Sequence, residues 1–541
     1  MNAKRKELLK SPGWRRTMHL VRSVAATTLA SICLLAITDL GKTHARTTPK
    51  LRVDNHAILS SAAVSGEAES PSNVVGQMPP SFDKDVARVV ADLDRIETET
   101  LQQLDRTTLD REGQIRTLGK LLLFDKHLSV NQNEACSFCH TPETGFTGPI
   151  QSLNLSTVSY PGSVRTRFSQ RKPQSYMYAT FAPVLHYNDL QGDFVGGNFW
   201  DMRASGYRLQ NPSAEQAQGP PTNPVEMGLP DSACVAYRLS KAPYRKLFEA
   251  VWGADSFAIQ WPKDVEIVCA TPGPPSDAHQ YPVHLSLADR QRADHVYDSF
   301  GLSAAAYEAS PEVSPFTSKY DYVQAGKTQF TPQEEMGYVL FRSKARCNEC
   351  HRDGGPGEEP LFTDFTASNL GVPRNPAVQF YFEAKSDERG YSPNAAGSAY
   401  VDTGVGFFLR KLKSLSGQLN PDSRWIELAP KFDAKFQVPT LRNVDMRPSP
   451  DFVKAYMHNG YFKSLKEVVH FYNTRDVLPA CKAGDPGEKV TCWPPPEDPT
   501  NINKRQLGDL KLTDQEEDNL VAFLKTLTDD YKPPSNPGTT K

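Results

Sequence analysis

Two short stretches of this chain bring a pair of thiols and an imidazole together: Cys136-Ser137-Phe138-Cys139-His140 and Cys347-Asn348-Glu349-Cys350-His351. Each is a Cys-x-x-Cys-His, the spacing that attaches c-type haem. The two thiols reach the two vinyl carbons on one porphyrin edge, and the adjacent histidine ligates iron on the proximal face. The same residues could instead be half of a zinc site, but that needs two further ligands close by, and neither copy has them. Two copies 211 residues apart predict two covalent haems c in two related lobes. Cys136, Cys139, Cys347 and Cys350 are the attachment points, and His140 and His351 the proximal ligands.

The elements that position these motifs are legible in part. Apolar spacing at Val86, Val89, Val90, Leu93 and Ile96 predicts a helix over residues 83–104. A second helix over 115–124 runs towards the first motif. Thr331-Pro332-Gln333-Glu334 reads as a capping box with proline at N1, opening a helix that leads into Cys347. Residues 285–307 and 464–473 look helical. Thr513-Asp514-Gln515-Glu516 caps a last helix that buries Leu520, Phe523, Leu524 and Leu527. Residues 141–175, 205–232 and 481–505 read as loops, and 352–422 lacks a clear period. The expected fold class is mainly α: two cytochrome-c-like haem lobes with long loops and little strand.

The 541 residues allow two or three domains. Residues 1–45 read as a signal peptide, with a basic start (Lys4 to Arg22), an apolar stretch from Ser23 to Leu40 and a small-residue cleavage site at Thr43-His44-Ala45. Removing it takes away eight basic and two acidic residues, so the formal charge moves from −2 to −8. An acidic mature chain argues against a nucleic-acid partner, and no other stretch approaches a membrane span. The remaining boundaries are a flexible lead-in at 46–80, a first lobe at 81–330, a second at 331–531 and a disordered tail at 532–541. Cys33 lies in the signal segment, and four cysteines remain: Cys234, Cys269, Cys481 and Cys492. Shortest loops would pair Cys234 with Cys269 and Cys481 with Cys492, as suits an exported chain; free buried thiols are the alternative.

From about residue 85 to 530 the chain resembles the MauG and bacterial di-haem cytochrome c peroxidase family. The anchors are Leu118-Gly119-Lys120 through His140, Phe199-Trp200-Asp201, Asn223-Pro224-Val225-Glu226-Met227-Gly228, Ser318-Lys319-Tyr320-Asp321, Val438 through Asn443, Tyr456-Met457-His458-Asn459-Gly460, and Leu465 to Tyr472. The resemblance implies a peroxide-reacting haem in the first lobe and an electron-transfer haem in the second. It places the second haem's distal ligand at Tyr472, as in MauG-type members, with Met457 a rival that the family does not use. It offers Glu226 and Gln216 on the peroxide side of the first haem, Glu226 as the acid–base group for O–O cleavage. Trp200 matches a tryptophan lying between the haems. Arg442 either pairs with a haem propionate or makes a structural ion pair.

The chain departs from the family in three places. Several residues are inserted between Arg203 and Gln216. Many members hold calcium between the lobes, but Lys172 stands where a ligand falls, and Gln437-Val438-Pro439 replaces the usual carbonyl stretch; calcium is possible but doubtful. Residues 141–185 contain no histidine to close the peroxide face, and His186 lies beyond them.

Three functions follow from this reading. The first is a periplasmic peroxidase that reduces hydrogen peroxide through high-valent iron, fed by a small periplasmic electron donor, a c-type cytochrome or cupredoxin. The second is a MauG-like oxidase acting on a partner protein. The third is a non-catalytic electron-transfer or haem-sensor protein. Monomer and homodimer are both open.

Overall fold

A computed structural model describes residues 80–533, apart from 107, 274–280, 356 and 413–423. The expected signal segment, nearly all of the lead-in and most of the tail lie outside the described residues. Helices dominate, and the strands are few and short. The described residues all fall in one compact unit.

Helix α1 (Phe82–Arg106) carries acidic residues in its first turn and Arg106 in its last, which suits the helix dipole. Helix α2 (Arg111–Phe124) starts four residues earlier than its apolar run predicts, because Asp110 caps the Gly113 amide. Its Leu118, Leu121, Leu122 and Phe124 are fully buried or nearly so. Residues 205–232 are not all loop: α3 (Pro212–Ala217) forms there, capped by Asn211, with Pro212 at its start. This corrects the loop reading, and the asparagine–proline start was its signal. The long helix α4 (Leu287–Glu308) follows.

Helices α5 (Pro332–Arg342) and α7 (Asp514–Lys525) both open on the expected capping boxes. Helix α6 (Leu465–Thr474) lies between them in the chain, capped by Ser464. The two halves share a packing device. A Cβ on Gly119 of α2 would lie 2.0 Å from the Ser303 carbonyl oxygen of α4. A Cβ on Gly337 of α5 would lie 2.0 Å from the Asn519 carbonyl oxygen of α7. Each helix that leads to a Cys-x-x-Cys-His therefore crosses its partner at a glycine, where only the absent side chain allows backbone contact.

One apolar core runs from Phe82 to Val313 and packs against Cys136 and Cys139. A second runs from Tyr320 to Leu527 and includes Cys347 at its edge. A third draws Leu185, Phe194 and Met202 together with Ala367, Phe408, Trp425 and Phe432. Sheet pairing is slight: β1 (His186–Asn188) meets β2 (Asp193–Val195), and β3 (Ala367–Ser368) meets β4 (Phe436–Gln437), both antiparallel. Disulfides join Cys234 to Cys269 and Cys481 to Cys492, as the shortest loops would have it.

Candidate di-haem active site

Cys136–Phe138 forms a 3-10 turn, tied to the end of α2 by the Ser137 hydroxyl donating to Leu123 O at 2.8 Å. Cys347–Glu349 forms the matching turn after α5. All four motif cysteines are free and half-buried. Burial pushes the thiols of Cys136, Cys347 and Cys350 up to about 12 and raises Cys139 well above its ordinary value. These are not exposed, reactive thiolates.

Both histidines are oriented in the same way. His140 Nδ1 meets Phe146 O at 2.8 Å, and His351 Nδ1 meets Phe362 O at 3.0 Å. A carbonyl on Nδ1 fixes the tautomer and leaves Nε2 as the ligating atom. Burial lowers His140 to about 4 and lowers His351 as well, so both imidazoles stay neutral, the form that binds iron. Both motifs line one cavity of about 870 Å³. Among the described residues no group of three or more His, Cys, Asp or Glu side chains is arranged to hold a metal ion. Half-buried thiol pairs, neutral oriented imidazoles and a mainly apolar cavity fit haem.

Tyr472 lies on α6 and lines the same cavity beside Cys347, Cys350 and His351. Its hydroxyl has no hydrogen-bond partner among the described residues, and burial raises its pKa, with Cys347 and Cys350 adding to the effect. Met457 lines the cavity too.

Glu226 sits in a tight turn closed by Glu226 N and Gly228 N donating to Asn223 O at 3.0 Å. Asn223 Nδ2 donates to its carboxylate at 2.7 Å. Burial raises its pKa, while Arg203 and the Asn223 contact oppose that. The next residue, Met227, brings its sulfur to 4.0 Å from Cys136 Sγ. Gln216, on α3, lines the cavity as well. Trp200 donates Nε1 to Lys172 O at 3.0 Å and meets His458 edge-on at 6.4 Å; His458 in turn stacks on Phe436 at 3.6 Å.

Arg442 makes a buried ion-pair cluster. Its guanidinium pairs with Asp321 and, at 3.4 Å, with Asp529, and lies 4.7 Å from both the Tyr178 and Phe316 rings. Only Nε is buried without a partner. Sequence reasoning did not bring out His458 beside Trp200, nor the Tyr176 ring at 5.4 Å from His140. An aromatic residue in a loop carries no signal of which imidazole it will meet.

The family model for di-haem cytochrome c peroxidase matches residues 114–329. The methylamine utilization protein MauG of Paracoccus denitrificans is 34% identical over 420 residues, which cover 77% of this chain and 88% of that protein. The chain belongs to the MauG and di-haem cytochrome c peroxidase family. The cytochrome-c peroxidase IdrP1 of Denitromonas iodatirespirans is 26% identical, over 76% of this chain and 80% of its own. The diheme peroxidase BthA of Burkholderia thailandensis superposes with a TM-score of 0.56 at 26% identity, over 78% of this chain and 90% of that one.

As a member of the di-haem peroxidase family the protein is an oxidoreductase with two c-type haems. Intact-mass analysis of the purified holoprotein is expected to show two haem additions per chain, and acid–acetone should extract neither. One addition, or haem released by acid–acetone, would contradict the attachment at Cys136, Cys139, Cys347 and Cys350.

Calcium does not fit the place the family resemblance would give it. Lys172 O accepts from Trp200, and Lys172 Nζ takes Thr147 Oγ1 at 2.6 Å. The Gln437 carboxamide is spent on Gly196 O, Gly197 O and Gln174. The Lys172 amino group is a hydrogen-bond donor where a calcium site needs an oxygen ligand.

Proposed function

We propose that this protein is an exported peroxidase, with lobes at 81–330 and 331–531, that reduces hydrogen peroxide to water with electrons from a small periplasmic c-type cytochrome or cupredoxin. The observation that carries the reading is the single cavity lined by both Cys-x-x-Cys-His motifs, Glu226, Gln216 and Trp200. Bound haem supplies the redox-active iron. His140 and His351 present neutral Nε2 atoms to it, and Tyr472 presents its phenol oxygen at the second centre. Glu226 takes the proton from one oxygen of hydrogen peroxide and returns it to the other, so that water leaves. Gln216 orients the peroxide. Each turnover consumes two electrons and two protons, and the electrons pass by Trp200. Two disulfides suit an oxidising compartment, and no helix among the described residues is long and apolar enough to cross a membrane.

Residues 141–185 hold no histidine to close the peroxide face of the first haem. His186 is exposed on β1 and does not line the cavity. Lys172 Nζ is held by Thr147 and Pro173. Tyr176 lies against the ring of His140, the proposed proximal ligand. The fully oxidised protein is therefore expected to have a high-spin first haem that reacts with peroxide without prior reduction. Stopped-flow mixing of the diferric form with one equivalent of peroxide should show prompt loss of the high-spin signal. A diferric form that reacts only after partial reduction would mean a distal ligand.

A second reading, oxidation of a partner protein in the manner of a MauG-like oxidase, has support of its own. Identity is higher to MauG, 34%, than to the IdrP1 peroxidase, 26%, and Tyr472 is the MauG-type ligand. Turnover with a reduced small redox protein and peroxide favours the first reading; its absence, with the haems still consuming peroxide, favours the second.

A further inference from the structure

Three lysine amino groups lie within the protein where the segment after His140 meets residues 446–463, and none of them pairs with a carboxylate among the described residues. Lys454 is 4% exposed and Lys172 8%; Lys463 is half-buried. Lys454 Nζ donates to Thr144 O at 2.9 Å and to Met446 O at 2.7 Å. Lys172 Nζ donates to Thr147 Oγ1 at 2.6 Å and to Pro173 O at 3.0 Å, while its backbone N–H reaches His458 O at 2.8 Å. Lys463 Nζ donates to Asn154 O at 2.6 Å and to Gly460 O at 2.8 Å. Lys454 and Lys463 thus each join one carbonyl from the stretch after His140 to one from the second half of the chain. Lys172 makes the same connection through its side chain and its own amide.

The stretch they hold has a specific task. Thr144 and Thr147 flank Phe146, whose carbonyl sets the His140 imidazole. The lysines grip the loop on both sides of that carbonyl.

We propose that Lys172, Lys454 and Lys463 form a metal-free bridge that ties the loop behind His140 to the second half of the chain and keeps the His140 imidazole in register, where the family resemblance would place calcium. They are positioning residues, and the proposal rests on His140 being the first haem's ligand. Each amino group meets only uncharged oxygens, so it can donate its N–H groups whether or not it carries a third proton. That matters because burial, with Lys463 nearby, lowers Lys172 to about 7. Burial, with Lys489 nearby, lowers Lys463 to about 7, and burial, with Lys172 nearby, holds Lys454 well below its ordinary value. A bridge of N–H donors to carbonyls survives that loss of charge; a bridge of ion pairs would not.

The test uses the full-length holoprotein. Elemental analysis for calcium is combined with EPR spectra and midpoint potentials of both haems, before and after dialysis against EDTA. The bridge predicts no stoichiometric calcium and unchanged spectra and potentials. Lys454→Met and Lys172→Met should then shift the first haem's ferric EPR signal and potential, with both haems still attached and the second haem's signal unchanged. Lys463→Met, at a half-exposed position, gives the same readout if a buried variant does not fold. One calcium per chain whose removal alters the first haem would overturn the proposal, as would lysine variants with an unchanged first-haem signal. His140→Gly separates the two layers. If it leaves the first-haem spectrum intact, the ligand reading has failed; if it alters that spectrum while the lysine variants do not, only the bridge has failed.

Discussion

Replacing Glu226 with glutamine is expected to lower peroxide turnover by about a hundred- to ten-thousand-fold, the usual loss when a positioned proton-transfer group is removed. Both haems should stay attached. Glutamine keeps the size of the side chain and can still hydrogen-bond to Asn223, now 2.7 Å from the carboxylate, so the turn around it should survive. What it lacks is a site that takes a proton from one peroxide oxygen and returns it to the other. The pH profile carries a second signature. Burial raises Glu226 above its ordinary value, with Arg203 and the Asn223 contact opposing. The base must be ionised to accept the proton, so activity falls as pH drops through that raised value. The acidic limb therefore lies above the ordinary carboxylate range, and Glu226→Gln should lose it. Arg203→Leu removes the opposing cation and should move the limb further up. Steady-state peroxide consumption across pH checks all three, and near-normal rates in Glu226→Gln would remove Glu226 from the chemistry.

How far the sequence reaches depends on whether a residue's task is local. The capping boxes at Thr331 and Thr513 form as read because threonine, its N3 glutamate and the helix start lie within four residues. The two Cys-x-x-Cys-His turns are local in the same sense. Helix α3 is also local, yet short, and it sits in a stretch whose glycines and prolines read as loop. The third core is different in kind. Phe194 packs on Trp425 and Phe432 only because β2 and the segment near 430 meet in space, and no period within either segment encodes the meeting. Lys172, Lys454 and Lys463 were the least legible, since lysine in a sequence is nearly always a surface residue. Only Lys172 stood out, and it did so through a departure from the family pattern. Arg442 stands out as a cation in a motif, but its partners Asp321 and Asp529 lie more than 80 residues away on either side, where no local pattern encodes them.

Replacing Tyr472 is expected to give the largest spectroscopic change. Helix α6 leaves little freedom in where this side chain goes. Ser464 caps the helix, Phe471 is fully buried, and Asn473 is locked by Leu512 O at 3.0 Å and Glu517 at 2.7 Å. With its two neighbours fixed, Tyr472 is directed into the cavity beside His351, one turn beyond Val468. Its hydroxyl has no hydrogen-bond partner among the described residues, and burial raises its pKa, so it gives up its proton only beside a cationic centre that offsets that cost. A phenolate is a hard anion and favours ferric iron, whereas a methionine thioether favours ferrous. Axial ligands span about 0.8 V of haem potential, so Tyr472→Met should raise the second haem's midpoint by a substantial part of that range. Tyr472→Phe should abolish the ligand and change the low-spin ferric EPR signal, with the first haem's signal unchanged. Met457→Leu is the control: Met457 also lines the cavity, and its loss should leave the second-haem spectrum as it was. A spectrum that is unchanged in Tyr472→Phe and altered in Met457→Leu would transfer the ligand role to Met457. The second haem would then be a cytochrome-like centre, and the MauG-type reading would lose the residue that supports it.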